Sequence, residues 1–237
     1  MKILIADQRP LLIKALADQF GKQHEIKIVS SGEKVLPLLK RLKPDLLLLD
    51  MELPNMDGLS ILRAIRVIGL NVVVLVSTVC VDSDYVMRQL AQFGVKYILP
   101  KPCVNAAVVS RVYEMICMVE NRPWTAEDEV NSILISLGMK TNLSGYKCVR
   151  DALMMLMEDN SRQLTKDVYP EIALRHGGMA SRIERVIRTS IKSAWKRRDD
   201  SMWRMYFDPD RNNEIQCPTN GLFLSRLSMH GKCRKIS

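Results

Sequence analysis

The sequence has no apolar run long enough to cross a membrane. Its longest uncharged stretch, Val67 to Val81, is interrupted by a glycine and by polar side chains, whereas a membrane-spanning helix needs about 20 mostly apolar residues. The first residues, Met1 to Asp7, hold too short an apolar run for a signal peptide. We therefore expect a cytoplasmic protein without a membrane partner.

Cysteine and histidine occur without metal-binding spacing. The six cysteines form no CxxC pair and the three histidines are scattered, which argues against a zinc site. In a cytoplasmic chain the cysteines are predicted to be reduced packing residues. They are Cys80, Cys103, Cys117, Cys148, Cys217 and Cys233.

Aromatic residues and catalytic groupings are scarce as well. Phe, Trp and Tyr make up 5% of the chain, which leaves few of the stacking platforms that RNA-binding modules use. The second half contains no Ser/His/Asp or Cys/His cluster suited to catalysis. An enzymatic or RNA-binding output is therefore the least favoured interpretation.

The remaining composition is that of a globular protein. The chain has 237 residues, of which 47% are hydrophobic and 26% charged, so one or two domains are expected. The formal net charge is +9. Much of it is concentrated between Arg182 and Arg198, a segment that contains seven basic residues and only one acidic residue, Glu184.

Apolar strands alternate with helical segments in the first half of the chain. This alternation predicts a doubly wound, five-stranded parallel sheet with helices on both faces, an α/β domain of the flavodoxin-like type. The predicted strands are Lys2–Ala6, Ile26–Val29, Asp45–Asp50, Val72–Val76 and Tyr97–Leu99. The predicted helices are Leu11–Gly21, Glu33–Leu42, Leu59–Ile68, Asp84–Phe93 and Val104–Val119.

Reactive side chains follow four of these strands. Asp7, Asp50, the pair Ser77-Thr78 and Lys101 each come at a strand's carboxyl end, where ligand sites of such sheets lie. This combination suits acyl-phosphate chemistry, with Asp50 as nucleophile and a divalent metal held partly by Asp7. Lys101 and a hydroxyl would bind the phosphoryl oxygens.

Two motifs carry a family resemblance. Asp50-Met-Glu-Leu-Pro-Asn-Met-Asp-Gly58 and Leu99-Pro-Lys-Pro102 resemble the receiver domain of two-component response regulators, over about residues 1–120. The resemblance implies that Asp50 accepts a phosphoryl group from a histidine kinase or histidine phosphotransferase. Lys101 and either Ser77 or Thr78 would then sense it. The predicted ligands of a divalent cation (Mg²⁺ or Ca²⁺) are Asp7, Asp50 and Glu52.

The chain departs from the receiver pattern near the metal. The family has two adjacent acids after the first strand, whereas this chain has Asp7-Gln8; a neutral amide should weaken cation binding. Ile98 stands where the family has an aromatic switch residue, with Tyr97 one place earlier. Phosphorylation at Asp50 is favoured, and the alternative is a degenerate receiver that works without it.

The second half contains only helical periodicity. A short linker over residues 121–129 leads to it, and Thr125 with Asp128 forms a partial capping box. An all-α effector domain is predicted over residues 130–237. Its predicted helices are Val130–Leu137, Gly145–Met157, Thr165–His176, Ala180–Arg197 and Thr219–His230.

Two of these helices form a helix-turn-helix candidate. Gly177-Gly178 separates them. Pro170 lies within the first helix and predicts a kink or a late start there. Ser181 to Glu184 has capping-box spacing for the second helix.

The second helix is predicted to be amphipathic. Its cations fall within an arc of about 120° at 100° per residue, opposite an apolar side with Ile183, Ile187 and Ile191. Such a helix fits the DNA major groove, where arginine reads guanine and lysine neutralises phosphate. The predicted DNA-binding residues are Ser181, Arg182, Glu184, Arg185, Arg188, Thr189, Lys192 and Lys196.

A second resemblance covers about residues 130–230. Val168–Ala173, Ala180–Arg188, Ala194-Trp195 and Pro218–Asn220 are similar to the effector domain of the stage 0 sporulation protein A family, the sporulation master regulator of endospore-forming Firmicutes. The resemblance implies that the helix from Ala180 enters the major groove with its arginines on DNA. Gln216-Cys217 lacks a basic residue of that family, Gly178-Met179 replaces its threonines, and the linker is shorter.

Together these features predict a non-enzymatic transcription regulator switched by aspartyl phosphorylation. The resemblance implies an activator or repressor of entry into sporulation that dimerises when phosphorylated, binds tandem sites on double-stranded DNA and works with RNA polymerase. The alternative is a phosphorylation-independent DNA-binding regulator.

Overall fold

The structure is a computed structural model that describes residues 1–233, with side chains described as far as residue 230. The chain divides after Pro123 into an N-terminal and a C-terminal compact unit. Within the described residues, no helix is both long and apolar enough to cross a membrane.

The N-terminal unit contains one parallel sheet. Its strands are β1 (Lys2–Ala6), β2 (Glu25–Val29), β3 (Leu46–Asp50), β4 (Val73–Thr78) and β5 (Tyr97–Pro100), in the order β2-β1-β3-β4-β5. The helices are α1 (Pro10–Phe20), α2 (Val35–Leu42), α3 (Gly58–Val67), α4 (Asp84–Gln92) and α5 (Asn105–Val119), with a 3₁₀ turn at Gly32–Lys34. The predicted α/β architecture is confirmed.

Burial on both faces explains why the central strand forms where it does. All five residues of β3 are buried, as expected for a parallel strand covered by helices on each side. Leu47 and Leu49 pack with residues of α2 and α3, among them Leu39 and Ile61. α1 and α5 pack against each other, and α5 contacts β3 and β4. This packing leaves Asp50 at the end of the buried strand.

The C-terminal unit is helical throughout its described part. It consists of α6 (Ala126–Ser136), α7 (Ser144–Glu158), α8 (Tyr169–His176), α9 (Ala180–Lys196), α10 (Asp200–Arg204) and α11 (Asn220–Cys233). A π-helical turn at Leu164–Val168 precedes α8. The predicted all-α class is confirmed.

The first helix of this unit begins earlier than its apolar pattern predicts. Residues 126–129, which the sequence assigns to the linker, form the first turn of α6. The cause is a complete capping box, in which the Thr125 side chain accepts from the Asp128 backbone N–H at 3.2 Å. The Asp128 carboxylate in turn accepts from the Thr125 backbone N–H at 3.0 Å.

Two predictions at helix starts have opposite outcomes. α8 begins at Tyr169 with Pro170 in its first turn, where the missing N–H costs nothing, so the predicted late start is confirmed. The capping box from Ser181 to Glu184 is wrong. α9 begins at Ala180 with Met179 as its N-cap residue, which places Ser181 inside the first turn.

An unpredicted helix completes the C-terminal core. α10 has five residues, too few for a periodic signal, and is capped by Asp199, whose side chain accepts from Ser201 N at 3.0 Å. Its Trp203 is fully buried, with ring centroids 5.1 Å from Trp195, 5.4 Å from Phe207 and 5.8 Å from Phe223. This aromatic cluster joins α9, α10 and α11.

The cysteines do not all pack in the interior. Cys117 and Cys148 are buried, Cys103 and Cys217 are half-buried, and none of these four is in a disulfide. Cys80 is exposed, so its prediction as a packing residue is wrong; it follows β4 in a surface turn. The side chain of Cys233 lies outside the described residues.

Replacing Trp203 by alanine should destabilise the C-terminal unit by about 4 kcal/mol, because it leaves a large cavity in the aromatic cluster. Urea unfolding followed by tryptophan fluorescence measures this selectively, since every tryptophan of the chain lies beyond Pro123. Leu174→Ala is the matched control; Leu174 is 87% exposed, so the free energy of unfolding of this variant should stay within about 0.5 kcal/mol of wild type. Equal midpoints for the two variants would contradict the assigned core.

Candidate functional site

The strand ends of the N-terminal unit bring the predicted reactive side chains together. Asp50 at the end of β3 is 4% exposed, and Ser77 and Thr78 at the end of β4 are fully or almost fully buried. Lys101, which follows β5, donates from Nζ to Asp50 Oδ1 at 2.5 Å and to Glu52 Oε2 at 2.8 Å. Asp50, Glu52, Ser77, Thr78 and Lys101 are called the acceptor pocket below.

The loop after β3 is shaped by close backbone approach. The backbone N–H of Gly58 donates to Met51 O at 3.0 Å. A Cβ atom at position 58 would lie 2.8 Å from Met51 Cα, so only glycine fits. Asp57 caps α3 by accepting from Ser60 N at 3.0 Å and from Ser60 Oγ at 2.7 Å. The Asp-Gly pair of the motif therefore folds the loop back onto the residue after Asp50.

The two adjacent hydroxyls have different surroundings. Ser77 is the register partner of Asp50 in the β3–β4 pair, and side chains of paired residues lie on the same face of a sheet. Thr78 instead donates from Oγ1 to Glu52 Oε1 at 2.7 Å.

Electrostatics in the acceptor pocket favour the charged forms. Burial alone would lower the pKa of Lys101, but the hydrogen bonds to Asp50 and Glu52 outweigh it and raise that pKa. Burial likewise would raise the pKa of Glu52, and hydrogen bonds from Lys101 and Thr78 hold it below the ordinary value. Both shifts favour the charged forms of Lys101 and Glu52, and the Lys101 ammonium group bonds the side chains of both Asp50 and Glu52.

Asp7 has a partner that the sequence analysis missed. Its fully buried carboxylate accepts from Arg9 Nη2 at 2.6 Å and from Arg9 Nε at 3.1 Å, and the Arg9 backbone N–H donates at 2.8 Å. The only signal in the sequence is a basic residue two places after the acid. These charge-assisted bonds raise the pKa of Arg9 further above its ordinary value.

The structure does not bring Asp7, Asp50 and Glu52 together as a cation site. Arg9 bonds both oxygens of Asp7, and Lys101 bonds the other two carboxylates. Across the residues that the structure describes, no group of three or more His, Cys, Asp or Glu side chains could hold a metal ion. Gln8 is exposed and adds no charge.

In the C-terminal unit, α9 separates an apolar face from a polar one. Ile183, Ile187, Ile191 and Ala194 are buried in the core that contains α7, α8 and α11. The exposed residues include seven of the eight predicted DNA contacts: Ser181, Arg182, Glu184, Arg185, Thr189, Lys192 and Lys196.

Among the described residues, no acidic side chain is paired with the cations of α9. In the described part of the chain, none of Arg182, Arg185, Arg188, Lys192 or Lys196 forms an ion pair with an acid. We call these five residues the cationic face.

Arg188 differs from the other members of the cationic face. It is half-buried, and its Nη1 donates to the carbonyl oxygen of Pro218. Thr189 is also partly engaged, because its Oγ1 donates to Arg185 O at 2.8 Å. Both side chains thus have contacts within their own unit.

The segment before α11 fixes the position of α9. Asn220 Nδ2 donates to Glu184 O at 3.0 Å and to the Tyr169 hydroxyl at 3.4 Å. Thr219 Oγ1 accepts from Leu222 N at 3.2 Å. Pro218–Asn220 therefore joins α8, α9 and α11, and an open groove beside it is lined by Arg185, Arg188 and Lys192. These contacts were not predicted, since they link residues far apart in the sequence.

The turn between α8 and α9 depends on glycine. Gly177 has φ 77° and Gly178 has φ 122°, a region of backbone conformation that side-chain-bearing residues rarely adopt. His176 Nε2 lies 2.6 Å from Asp151 Oδ2 of α7, which ties the end of α8 to its neighbour. The helix-turn-helix candidate is thus formed by α8, the glycine pair and α9.

Comparison with known proteins gives the class of each unit. Residues 3–113 match the sequence model of the response regulator receiver domain, and residues 130–230 match that of the sporulation initiation factor Spo0A C terminal. The chain is thus a response regulator with a helical DNA-binding domain, a class of transcription regulators rather than of enzymes. With both matches in this order, it belongs to the Spo0A-like sporulation response regulators.

Several solved structures of response regulators are similar to about half of this chain. A LuxR-family DNA-binding response regulator from Staphylococcus aureus is 24% identical (TM-score 0.43) over 51% of this chain and 98% of that one. The BeF3-activated receiver domain of Klebsiella pneumoniae RstA is 26% identical (TM-score 0.40) over 47% and 95%. The response regulator domain of Thermotoga maritima CheB is 19% identical (TM-score 0.44) over 52% and 98%. The family assignment rests on the matched models and not on these similarities.

Receiver domains generally bind Mg²⁺ at the phosphorylation site. The side chains of this chain do not fit such an ion as they stand, because each carboxylate of the predicted set is already bonded to Arg9 or Lys101.

Asp57→Ala should destabilise α3 by about 1 kcal/mol, the typical cost of losing an N-cap side chain. Hydrogen–deuterium exchange of peptides covering Gly58–Val67 measures this locally, and Asp57→Asn is the matched control because it keeps an acceptor for Ser60. The hydrogen bonds from Ser60 lower the pKa of Asp57 below its ordinary 3.8.

The ionised cap therefore contributes fully above pH 3.8, and its contribution is lost as the pH falls through the lower, folded pKa. Unchanged exchange of α3 in Asp57→Ala would show that the cap does not hold the loop.

Proposed function

We propose that this protein binds operator DNA through the cationic face of α9 and that a phosphoryl group on Asp50 controls this binding, with entry into sporulation as the regulated process. The observation that carries the proposal is an exposed set of cations without acidic partners in the described structure, on the helix that follows the glycine turn of a Spo0A-type domain. The receiver match adds the phosphorylation input.

DNA recognition follows from the geometry of α9. Its buried isoleucines fix the helix against the core, so the opposite side presents Arg182 and Arg185 outward on successive turns. In a major groove, arginine donates two hydrogen bonds to guanine, and Lys192 and Lys196 further along the helix neutralise phosphates. Ser181 at the first turn and Glu184 are assigned to the same interface. Arg188 and Thr189 contribute from their partly engaged positions.

The acceptor pocket supports an aspartyl-phosphate switch. An Asp50 oxygen attacks the phosphorus of a phosphohistidine donor, the phosphorus–nitrogen bond breaks, and its electron pair returns to the imidazole. Lys101 already bonds Asp50 and can bond the negatively charged phosphoryl group once it is attached there. We assign the sensing hydroxyl to Ser77, because it is the register partner of Asp50, whereas Thr78 is bonded to Glu52.

The output of the switch is proposed to be dimerisation on tandem operator sites, followed by activation or repression at promoters through RNA polymerase. Joining two DNA-binding units raises the effective concentration of the second at its site. Affinity then increases without any new contact to DNA.

A phosphorylation-independent regulator is the second candidate function. The Asp7–Arg9 pair and the exposed Gln8 favour it, since together they leave no acidic pair of the kind that receivers use for Mg²⁺. Under this alternative, the cationic face binds DNA constitutively.

Arg185→Ala should weaken specific operator binding by about 1–3 kcal/mol, because it removes an exposed arginine from the centre of the cationic face. Fluorescence anisotropy with a duplex operator, obtained by footprinting the wild type, measures the affinity at stated salt. Lys147→Ala, a change of an exposed cation on α7, is the matched control. Normal operator binding by Arg185→Ala would contradict the assignment of α9 as the recognition helix.

Incubation of the full chain with acetyl phosphate should add one phosphoryl group to wild type and none to Asp50→Asn, as intact-protein mass spectrometry would show. Operator affinity of the treated wild type should rise, because phosphorylated chains pair on tandem sites. An unshifted mass with unchanged DNA affinity would favour the phosphorylation-independent regulator.

A further inference from the structure

The guanidinium of Arg9 lies at the carboxyl edge of the sheet, among the residues of the phosphorylation site. Besides its bonds to Asp7, Nη2 donates to Ser77 Oγ at 3.5 Å, and Nη1 lies 3.5 Å from Cys103 Sγ. Ser77 is in turn the register partner of Asp50. A fixed positive charge therefore lies between the first acid of the site and the strand that flanks the phosphoacceptor.

Charge balance explains why this cation is needed. Asp7 is fully buried, and a buried carboxylate requires a bonded positive partner. Where a receiver has two acids after β1, a divalent ion can supply that charge. Here the second acid is replaced by the exposed Gln8, and the side chain that reaches Asp7 is the guanidinium of Arg9.

We propose that Arg9 takes the place of the divalent cation, so that the acceptor pocket accepts a phosphoryl group without metal. The guanidinium on Asp7, which follows β1, bonds Ser77, the register partner of Asp50, and the ammonium of Lys101, which follows β5, bonds Asp50 itself. Two fixed cations thus replace one fixed and one diffusible cation.

This inference rests on the proposed phosphorylation of Asp50. In the transfer, an oxygen of Asp50 forms the new bond to phosphorus as the bond to the leaving group breaks. The leaving group, imidazole of a phosphohistidine or acetate of acetyl phosphate, keeps the electron pair. Charge on the transferred oxygens is offset by hydrogen bonds from Lys101, from Ser77 and from Nη1 of Arg9, the guanidinium nitrogen that does not bond Asp7.

Direct cation binding is the first test, with Mn²⁺ as the probe and electron paramagnetic resonance as the readout. Wild type should show no saturable site up to millimolar Mn²⁺. The double variant Gln8→Asp, Arg9→Ala restores two adjacent acids and removes the internal cation, so it should bind Mn²⁺ at least about tenfold more tightly. Lys14→Ala, which removes an exposed cation of α1, is the control and should behave as wild type.

Saturable Mn²⁺ binding by wild type that is abolished in Asp7→Asn would overturn the inference. Circular dichroism checks that the double variant is folded. Should it fail to fold, the wild-type measurement and the phosphorylation measurement below still decide.

Phosphorylation by acetyl phosphate in excess EDTA is the second test and needs no variant. The rate should stay within about twofold of the rate in Mg²⁺, whereas a metal-dependent pocket would lose at least about a hundredfold. Phosphorylation that requires Mg²⁺ would overturn the inference and leave the proposed function standing. A wild type that takes no phosphoryl group under either condition would contradict the proposed function and, with it, phosphoryl transfer without metal.

Discussion

The N-terminal unit depends on the burial of β3 between two layers of helices. Because this strand is buried on both faces, its register against β1 and β4 is fixed. That register places Asp50 beside Ser77 and near the end of β1, where Asp7 lies. The polar residues at the strand ends are then held where water is largely excluded, so each charge has to be paired. Lys101 and Arg9 supply those pairs.

In the C-terminal unit, too, burial of apolar residues determines where the charged residues lie. Burial of the α9 isoleucines against the helical core decides which side of the helix meets solvent. The Pro218–Asn220 segment then fixes α9 through the Glu184 carbonyl and through Arg188. Trp203 fills the space behind the helix. Because the apolar side of α9 packs against the core, its cations lie at the surface of the unit. A surface with this much positive charge favours an anionic ligand.

Periodicity predicted most of the architecture, and local rules predicted several helix starts. The alternation of strands and helices, the capping by Thr125 and the late start at Pro170 all follow from contacts within a few residues. The short helix α10 could not be predicted, because five residues carry no periodic signal and its place is set by the burial of Trp203. The helical state of residues 126–129 was missed because that turn is polar, although it completes the capping box.

By itself, the sequence determined the residue types at the strand ends and the amphipathic pattern of α9, because both depend on order along the chain. Only the tertiary structure decided which of them touch. Gln8 indicated a weak cation site, but the spacing of Arg9 did not show that its guanidinium bonds Asp7 and reaches Ser77 on another strand. Likewise, the proposed assignment of the sensing hydroxyl to Ser77 uses strand register, which is a relation between two segments separated in sequence. Which buried charges pair depends on the distances between them in the folded chain, and spacing along the sequence does not give those distances.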